Sequence, residues 1–161
     1  MRLIAIDPGY TESAFCIFHD GEPRVWQKVA NSDVLSIVRK NLSPRDLGDM
    51  LALEMVAHYG MPVGAEVFMT CLWVGRFVEA WERRGGRHLL VYRRDVKLHL
   101  CQDSRAKDSN IRAALLDRFG PGRELAVGTK RRPGPLYGMT GDCWSALAVG
   151  LTALHQLREA T

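Results

Sequence analysis

The first thirty residues contain three short apolar segments separated by turn residues, and this arrangement restricts the chain to few folds. Arg2–Asp7 stops at Pro8-Gly9, which cannot continue a β-ladder. Residues 13–18 stop at a turn that contains Asp20-Gly21, and a third segment covers residues 25–29. Because strands joined by tight turns pair antiparallel, we predict that the sheet begins as a meander.

Helical and strand-like segments alternate after the meander. The predicted elements are a helix over 33–40 capped within Asn31-Ser32-Asp33, a buried strand over 50–56, a helix over 65–84, a strand over 88–92, helices near 94–101 and 107–119, a long basic loop over 120–141 and a helix over 142–159. This order predicts an α/β fold of three layers, in which a mixed five-stranded sheet (the meander, then parallel strands) has helices on both faces.

The composition is that of a globular protein and excludes several classes. The 161 residues fit one domain covering 1–161, and 47% apolar with 25% charged residues argue against disorder and coiled coil. No apolar segment is long enough for a membrane span or a signal peptide, so we expect a cytoplasmic protein without a membrane partner. The widely spaced cysteines predict reduced, mostly buried thiols: Cys16, Cys71, Cys101 and Cys143.

Positive charge is concentrated in one part of the chain. Residues 83–132 contain 14 Lys and Arg against 5 Asp and Glu, a net charge of +9, whereas residues 1–82 have 7 against 11, or −4. A basic block of this size attracts polyanions, of which nucleic acid is the commonest, although a solvated surface without a partner is an equally good interpretation of the block alone.

Three carboxylates occupy apolar surroundings. Asp7 ends the first strand, Glu54 interrupts the strand over 50–56, and Asp142 opens the last helix. Singly, they could be a turn residue, a solvent-facing residue and a helix N-cap. Together, they would need a counter-charge, and an all-oxygen site favours Mg²⁺ or Mn²⁺. A metal site beside a basic surface indicates phosphodiester hydrolysis.

Several motifs in order along the chain resemble the RuvC family of Holliday-junction resolvases, particularly its phage-type members. These motifs are Ile4-Ala-Ile-Asp7-Pro-Gly9, Leu51-Ala-Leu-Glu54-Met-Val, Val96-Lys97, Ala106-Lys107-Asp108-Ser-Asn-Ile and Asp142-Cys-Trp-Ser145-Ala-Leu-Ala-Val. The resemblance implies an RNase H-like fold and a homodimer that cuts two opposed strands of a four-way DNA junction symmetrically. It also implies two Mg²⁺ ions in each active site, for which Mn²⁺ can substitute.

The resemblance assigns roles to individual residues. Asp7, Glu54 and Asp142 match the metal-binding and catalytic carboxylates of the family, and Ser145 stands where a fourth carboxylate is usual. Glu66 and Asp108 are alternative sources of that missing ligand. Lys107 is expected to assist catalysis, and the expected nucleic-acid contacts are Lys97, Arg105, Lys107, Lys130, Arg131 and Arg132.

Other interpretations remain open at this point. An RNase H-like nuclease acting on RNA or other branched nucleic acid, close to the YqgF type, would carry similar carboxylates. A non-catalytic junction-binding protein would explain Ser145 as a lost ligand. An actin-like ATPase would need two domains, for which the chain is too short. Trp73, Phe77 and Trp81 predict either core packing or a dimer and junction contact, and Tyr10 or Tyr137 could stack on a base.

Overall fold

The computed structural model describes residues 1–40, 48–57, 60 and 62–160, and five strands within them form one mixed sheet. The strands are β1 (Arg2–Asp7), β2 (Glu12–His19), β3 (Glu22–Ala30), β4 (Met50–Met55) and β5 (Arg87–Tyr92). Their order is β3-β2-β1-β4-β5, in which β1 to β3 are antiparallel and β1, β4 and β5 are parallel. The predicted fold class is therefore confirmed.

Six helices complete the described fold. They are α1 (Asn31–Lys40), α2 (Ala65–Glu82), α3 (Arg93–Cys101), α4 (Asp108–Phe119), α5 (Arg123–Ala126) and α6 (Cys143–Glu159). All except α5 lie within two residues of a predicted helix. None of the helices in the described ranges is long and apolar enough to cross a membrane.

The two faces of the sheet support separate hydrophobic cores, because successive side chains of a strand point to opposite faces. On β1, Ile4 and Ile6 belong to the core beneath α1 and α2, whereas Leu3 and Ala5 belong to the core beneath α6. Gly150 allows α6 to lie close to the sheet, since a Cβ atom at this position would approach the Phe18 ring to 2.1 Å.

The segment predicted as a basic loop over 120–141 has more structure than its composition indicates. It contains α5, and an isolated bridge joins Gly128 to Pro133. Leu136 is fully buried, and its amide donates to the Ala126 carbonyl at 2.8 Å. The prediction of a long loop was therefore wrong. The glycines and prolines of the segment are typical of irregular structure, but a four-residue helix and one buried leucine anchor it.

Candidate active site

Asp7 and Glu54 lie side by side at one end of the sheet. The parallel register pairs Ile6 of β1 with Leu53 of β4, so the next residues of the two strands are neighbours. Both continue the alternation that places Ala5 and Ala52 beneath α6. The side chain of Glu54 is only 18% exposed, which argues against a simple solvent-facing role.

The beginning of α6 adds Ser145 and Asp142 to this end of the sheet. Ser145 lies close enough to Asp7 to lower the pKa of its carboxyl group, whereas the charge of Asp142 raises this pKa. Asp142 occupies the N-cap position of α6, but its side chain caps no backbone amide. Its carboxylate instead accepts from the Lys28 ammonium at 2.8 Å. The four residues predicted for the site therefore gather in one region.

The electrostatic environment favours the neutral form of Asp7. Burial first, then the charges of Glu54 and Asp142, raise its pKa to about 7, while Arg93 and the hydrogen bond from Ser145 act in the opposite direction. Burial likewise raises the pKa of Glu54, against the lowering effect of Arg93. Neighbouring carboxylates that lose water in this way would be stabilised by a cation between them.

Arg93 is a site residue that sequence reasoning missed. It is the first residue of α3, and its guanidinium lies 3.5 Å from Glu54 Oε2 and 2.5 Å from Asp108 Oδ1. Lys28 was also missed, although it pairs with Asp142. No local signal distinguishes Arg93 from the other arginines of the basic block. The sheet brings it to the site, because Arg93 directly follows β5, whose Val91 is paired with Glu54.

The donor atoms of the site suit a hard divalent cation. The carboxylates of Asp7, Glu54 and Asp142 and the hydroxyl of Ser145 present only oxygen, which Mg²⁺ and Mn²⁺ prefer. Across the described ranges, no three His, Cys, Asp or Glu side chains converge closely enough to hold a metal ion. Asp7 and Glu54 are neighbours on adjacent strands, while Asp142 lies 2.8 Å from Lys28.

A buried hydrogen-bond network fixes the turn that follows Asp7. The Ser13 hydroxyl donates to Asn31 Oδ1 at 2.5 Å and accepts from the Gly9 amide at 3.2 Å. Asn31 Nδ2 donates to the Gly9 carbonyl at 3.0 Å. Asn31 was expected within the capping residues of α1, but its side chain bonds the turn instead. This network holds the Pro8-Gly9 turn against the start of α1.

The predicted nucleic-acid contacts differ in whether they line the cavities beside the carboxylates. A cavity of about 430 Å³ is lined by Arg93, Arg94, Lys97 and Ser104. Arg93 also lines a cavity of about 260 Å³ that contains Asp7 and Glu54, so the basic cavity adjoins the carboxylates.

The remaining predicted basic residues are all exposed: Arg105, Lys107, Lys130, Arg131 and Arg132. Lys107 directly precedes Asp108, whereas Arg105 pairs with Asp103 at 3.9 Å. Lys130 and Arg131 occupy a turn closed by hydrogen bonds between Thr129 and Arg132. None of the cavities described around the carboxylates includes these residues.

The two remaining candidate ligands differ in position. Asp108 is connected to the site indirectly, because it pairs with Arg93, which in turn contacts Glu54. Glu66 is exposed in the first turn of α2 and lines none of the cavities described around the carboxylates.

The aromatic residues of α2 are mostly core residues. Phe77 and Trp81 are fully buried, and Trp73 is half-buried with its ring 5.8 Å from that of Phe77. Core packing is therefore confirmed for Phe77 and Trp81. Tyr10 and Tyr137 are exposed, which leaves base stacking a prediction. The four cysteines are free, but only Cys16 and Cys143 are buried.

An antiparallel meander extended by two parallel strands, with helices on both faces, defines the RNase H-like class of fold. The carboxylates of this chain lie where the parallel strands β1 and β4 end. No family model matches the sequence, and no curated protein shows a significant match.

Solved structures of RuvC are similar to this chain over its whole length. The RuvC structure from Thermus thermophilus matches with a TM-score of 0.68 and 17% identity, covering 100% of this chain and 98% of that chain. The T. thermophilus RuvC in complex with Holliday junction substrate matches with a TM-score of 0.68 and 16% identity, covering 100% and 97%. The chain therefore has a RuvC-like fold, as the resemblance implied.

Proposed function

We propose that this protein is a divalent-metal-dependent endonuclease that resolves four-way DNA junctions by paired, symmetric nicks. The observation that carries the proposal is the pairing of Asp7 with Glu54 beneath the beginning of α6, on a RuvC-like fold. A similar structure is described as a complex with Holliday junction substrate, which favours branched DNA as the substrate class. The paired nicks further require a homodimer.

Some residues of the site would hold the metal ion, and others would contact the DNA. Asp7 and Glu54 would hold Mg²⁺ or Mn²⁺, with Asp142 and Ser145 completing the oxygen ligands directly or through water. Ser145 favours the ionised, metal-binding form of Asp7, because it lowers the pKa of that carboxyl group. When bound, the cation would lower the pKa of a water that attacks phosphorus and would offset charge on the phosphate oxygens.

The basic residues would hold the DNA backbone against the carboxylates. Arg94 and Lys97 line the cavity that adjoins Glu54 through Arg93, which suits the phosphates next to the cleaved bond. Lys107 would contribute charge near Asp108. Arg105 and the basic turn Lys130-Arg131-Arg132 would contact phosphates farther away, because flexible cations bind the backbone without reading bases.

Cleavage of a labelled four-way junction tests the proposal. Incubation with Mg²⁺ is expected to give symmetric nicks that EDTA abolishes. We expect each of three substitutions to remove cleavage: Asp7→Asn, Glu54→Gln and Asp142→Asn. Junction binding should stay intact or become tighter, because neutral side chains no longer repel DNA. Glu22→Gln is the matched control, since this exposed carboxylate lies at the opposite end of the sheet.

The substrate comparison separates the other interpretations. Preferential cleavage of an RNA–DNA hybrid would contradict junction resolution and favour an RNA-directed nuclease. Tight junction binding without cleavage in either Mg²⁺ or Mn²⁺ would contradict the nuclease and favour a binding protein. Full cleavage by Asp142→Asn would show that Asp142 is not a ligand.

A further inference from the structure

The carboxylates that surround Asp7 are paired with cations of the chain itself. Arg93 contacts both Glu54, at 3.5 Å, and Asp108, at 2.5 Å. Lys28 contacts Asp142 at 2.8 Å. Among the described residues, Asp7 forms no ion pair within 4.0 Å, and Ser145 lowers the pKa of its carboxyl group. Three of the four carboxylates therefore contact a positively charged side chain.

We infer that Arg93 supplies a fixed positive charge where a second divalent cation would need its ligands, so that the site binds one cation, held by Asp7 and Glu54. This inference rests on the proposed function and deepens it. The family resemblance implies two cations, whereas the contacts of Arg93 argue for one.

A second cation would lack free ligands in this arrangement. Protein sites for Mg²⁺ use one or two carboxylates together with substrate phosphates. Asp108 is the carboxylate that could have replaced a ligand at Ser145, but Arg93 holds it. Asp142 is held by Lys28, and the Ser145 hydroxyl is neutral. Asp108 and Asp142 are thus in close contact with cations of the chain, at 2.5 and 2.8 Å. Glu54 lies farther from Arg93, at 3.5 Å, and keeps its oxygen atoms for the first cation.

The charge on Arg93 cannot be removed by a change of pH. A guanidinium stays protonated in proteins, unlike a carboxylate or an imidazole. The side chain is 25% exposed and lies between two carboxylates, whereas Asp108 is 81% exposed. A divalent cation beside Glu54 on the Arg93 side would therefore face a fixed charge of the same sign.

Arg93 is also positioned to act on the substrate. It lines the cavity with Asp7 and Glu54 and the adjoining cavity with Arg94 and Lys97. A phosphodiester crossing from the basic cavity to the carboxylates would pass the guanidinium. Arginine can donate two parallel hydrogen bonds to phosphate oxygens, which offsets the charge that develops there without a second metal ion.

Counting bound Mn²⁺ tests the inference without DNA. We expect the electron paramagnetic resonance signal of free Mn²⁺, titrated against the full chain, to show one bound ion. Arg93→Gln should bind two, because Asp108 loses its partner and the fixed positive charge is removed, and Arg93→Lys should bind one. Arg94→Gln is the matched control, since Arg94 lines the same basic cavity and has no described ion pair. It should also bind one.

Two or no bound ions in the wild type would overturn the inference, as would a single ion in folded Arg93→Gln. The wild-type count decides the question even if Arg93→Gln does not fold, which circular dichroism would reveal. One bound ion without junction cleavage would overturn the proposed function alone, whereas cleavage with two bound ions would overturn this inference alone.

Discussion

The protonation state of Asp7 affects both the stability of the chain and the chemistry of the candidate site. Its pKa of about 7 in the folded chain lies above the ordinary value of 3.8. Between these two pH values the folded chain retains a proton that the unfolded chain has lost. The contribution of Asp7 to the free energy of unfolding therefore decreases as the pH rises from about 4 to about 7 and then stays level.

Asp7→Asn should remove this loss of stability. In EDTA at pH 8, we expect the variant to have a free energy of unfolding about 1–3 kcal/mol higher than the wild type, and the difference should shrink towards pH 4. Urea denaturation at several pH values measures it. Glu22→Gln, at the opposite end of the sheet, should change the free energy by less than about 0.5 kcal/mol. Parallel pH profiles of wild type and Asp7→Asn would contradict the prediction.

Ser145 is the second residue with a specific expectation. Replacing its hydroxyl by a carboxylate adds an oxygen ligand beside Asp7, so Ser145→Asp should shift the Mg²⁺ dependence of cleavage to lower concentration. The cleavage position in the junction should not move. Mg²⁺ titrations of cleavage and mapping of the nicks measure both quantities. An unchanged titration, or an inactive folded enzyme, would mean that Ser145 does not lie beside the bound cation.

Single residues could be predicted from the sequence only where their surroundings made them anomalous. Asp7 ends an apolar strand, Glu54 interrupts one, and Asp142 opens an apolar helix. A carboxylate in apolar surroundings is costly to bury unless a counter-charge stabilises it. Arg93 lies in a block with many other cations, so nothing local distinguishes it. Its partners Glu54 and Asp108 are fixed by the packing of β4, α3 and α4, which sequence periodicity does not specify.

At the scale of elements, the register between β1 and β4 places Asp7 beside Glu54. The opposite ends of these strands are joined by Asp49, which is 1% exposed. It accepts from the Arg2 amide at 2.7 Å and from the Arg2 guanidinium at 2.9 Å. This contact fixes the alignment of β1 and β4 at the end of the sheet opposite the candidate site.

Asp49→Asn should therefore destabilise the sheet. The loss of a buried, charge-assisted contact is expected to lower the free energy of unfolding by about 1–3 kcal/mol in urea denaturation. Asp20→Asn is the matched change, because Asp20 pairs with the N-terminal ammonium while 73% exposed. It should cost less than about 0.5 kcal/mol. Equal effects of the two substitutions would contradict a role of Asp49 in the register.

Elements with strong periodicity could be predicted within two residues, whereas α5 could not. The strands β1 and β4 alternate between two cores, and α6 is apolar along most of its length, so burial dictates their conformation. The four residues of α5 are too few for a periodic pattern. Their position depends on the burial of Leu136 and on the hydrogen bond that it donates to Ala126.

For the whole molecule, the basic block between residues 83 and 132 is the dominant electrostatic feature. Its exposed turn Lys130-Arg131-Arg132 lies outside the cavities described around the carboxylates. Any contribution of this turn to binding should therefore be independent of DNA shape. Cations that contact phosphates release counterions, which makes binding depend on salt.

Neutralising Lys130, Arg131 and Arg132 together should weaken binding to junctions and linear duplexes alike. The slope of log affinity against log salt should become shallower by roughly 2–3, as expected for the loss of that many phosphate contacts. Anisotropy titrations at several salt concentrations measure the slope. Neutralising the exposed pair Arg39 and Lys40, at the end of α1, is the control. An unchanged slope in the triple variant would place the turn away from DNA.

The dispersal of the site along the chain has a consequence for protein synthesis. Asp7 and Glu54 belong to β1 and β4, whereas Asp142 and Ser145 lie at the beginning of α6, the last of the described helices. Domains fold as their residues leave the ribosome, and the core beneath α6 cannot form before that helix has emerged. The candidate site therefore cannot assemble on a growing chain before α6 has left the ribosome.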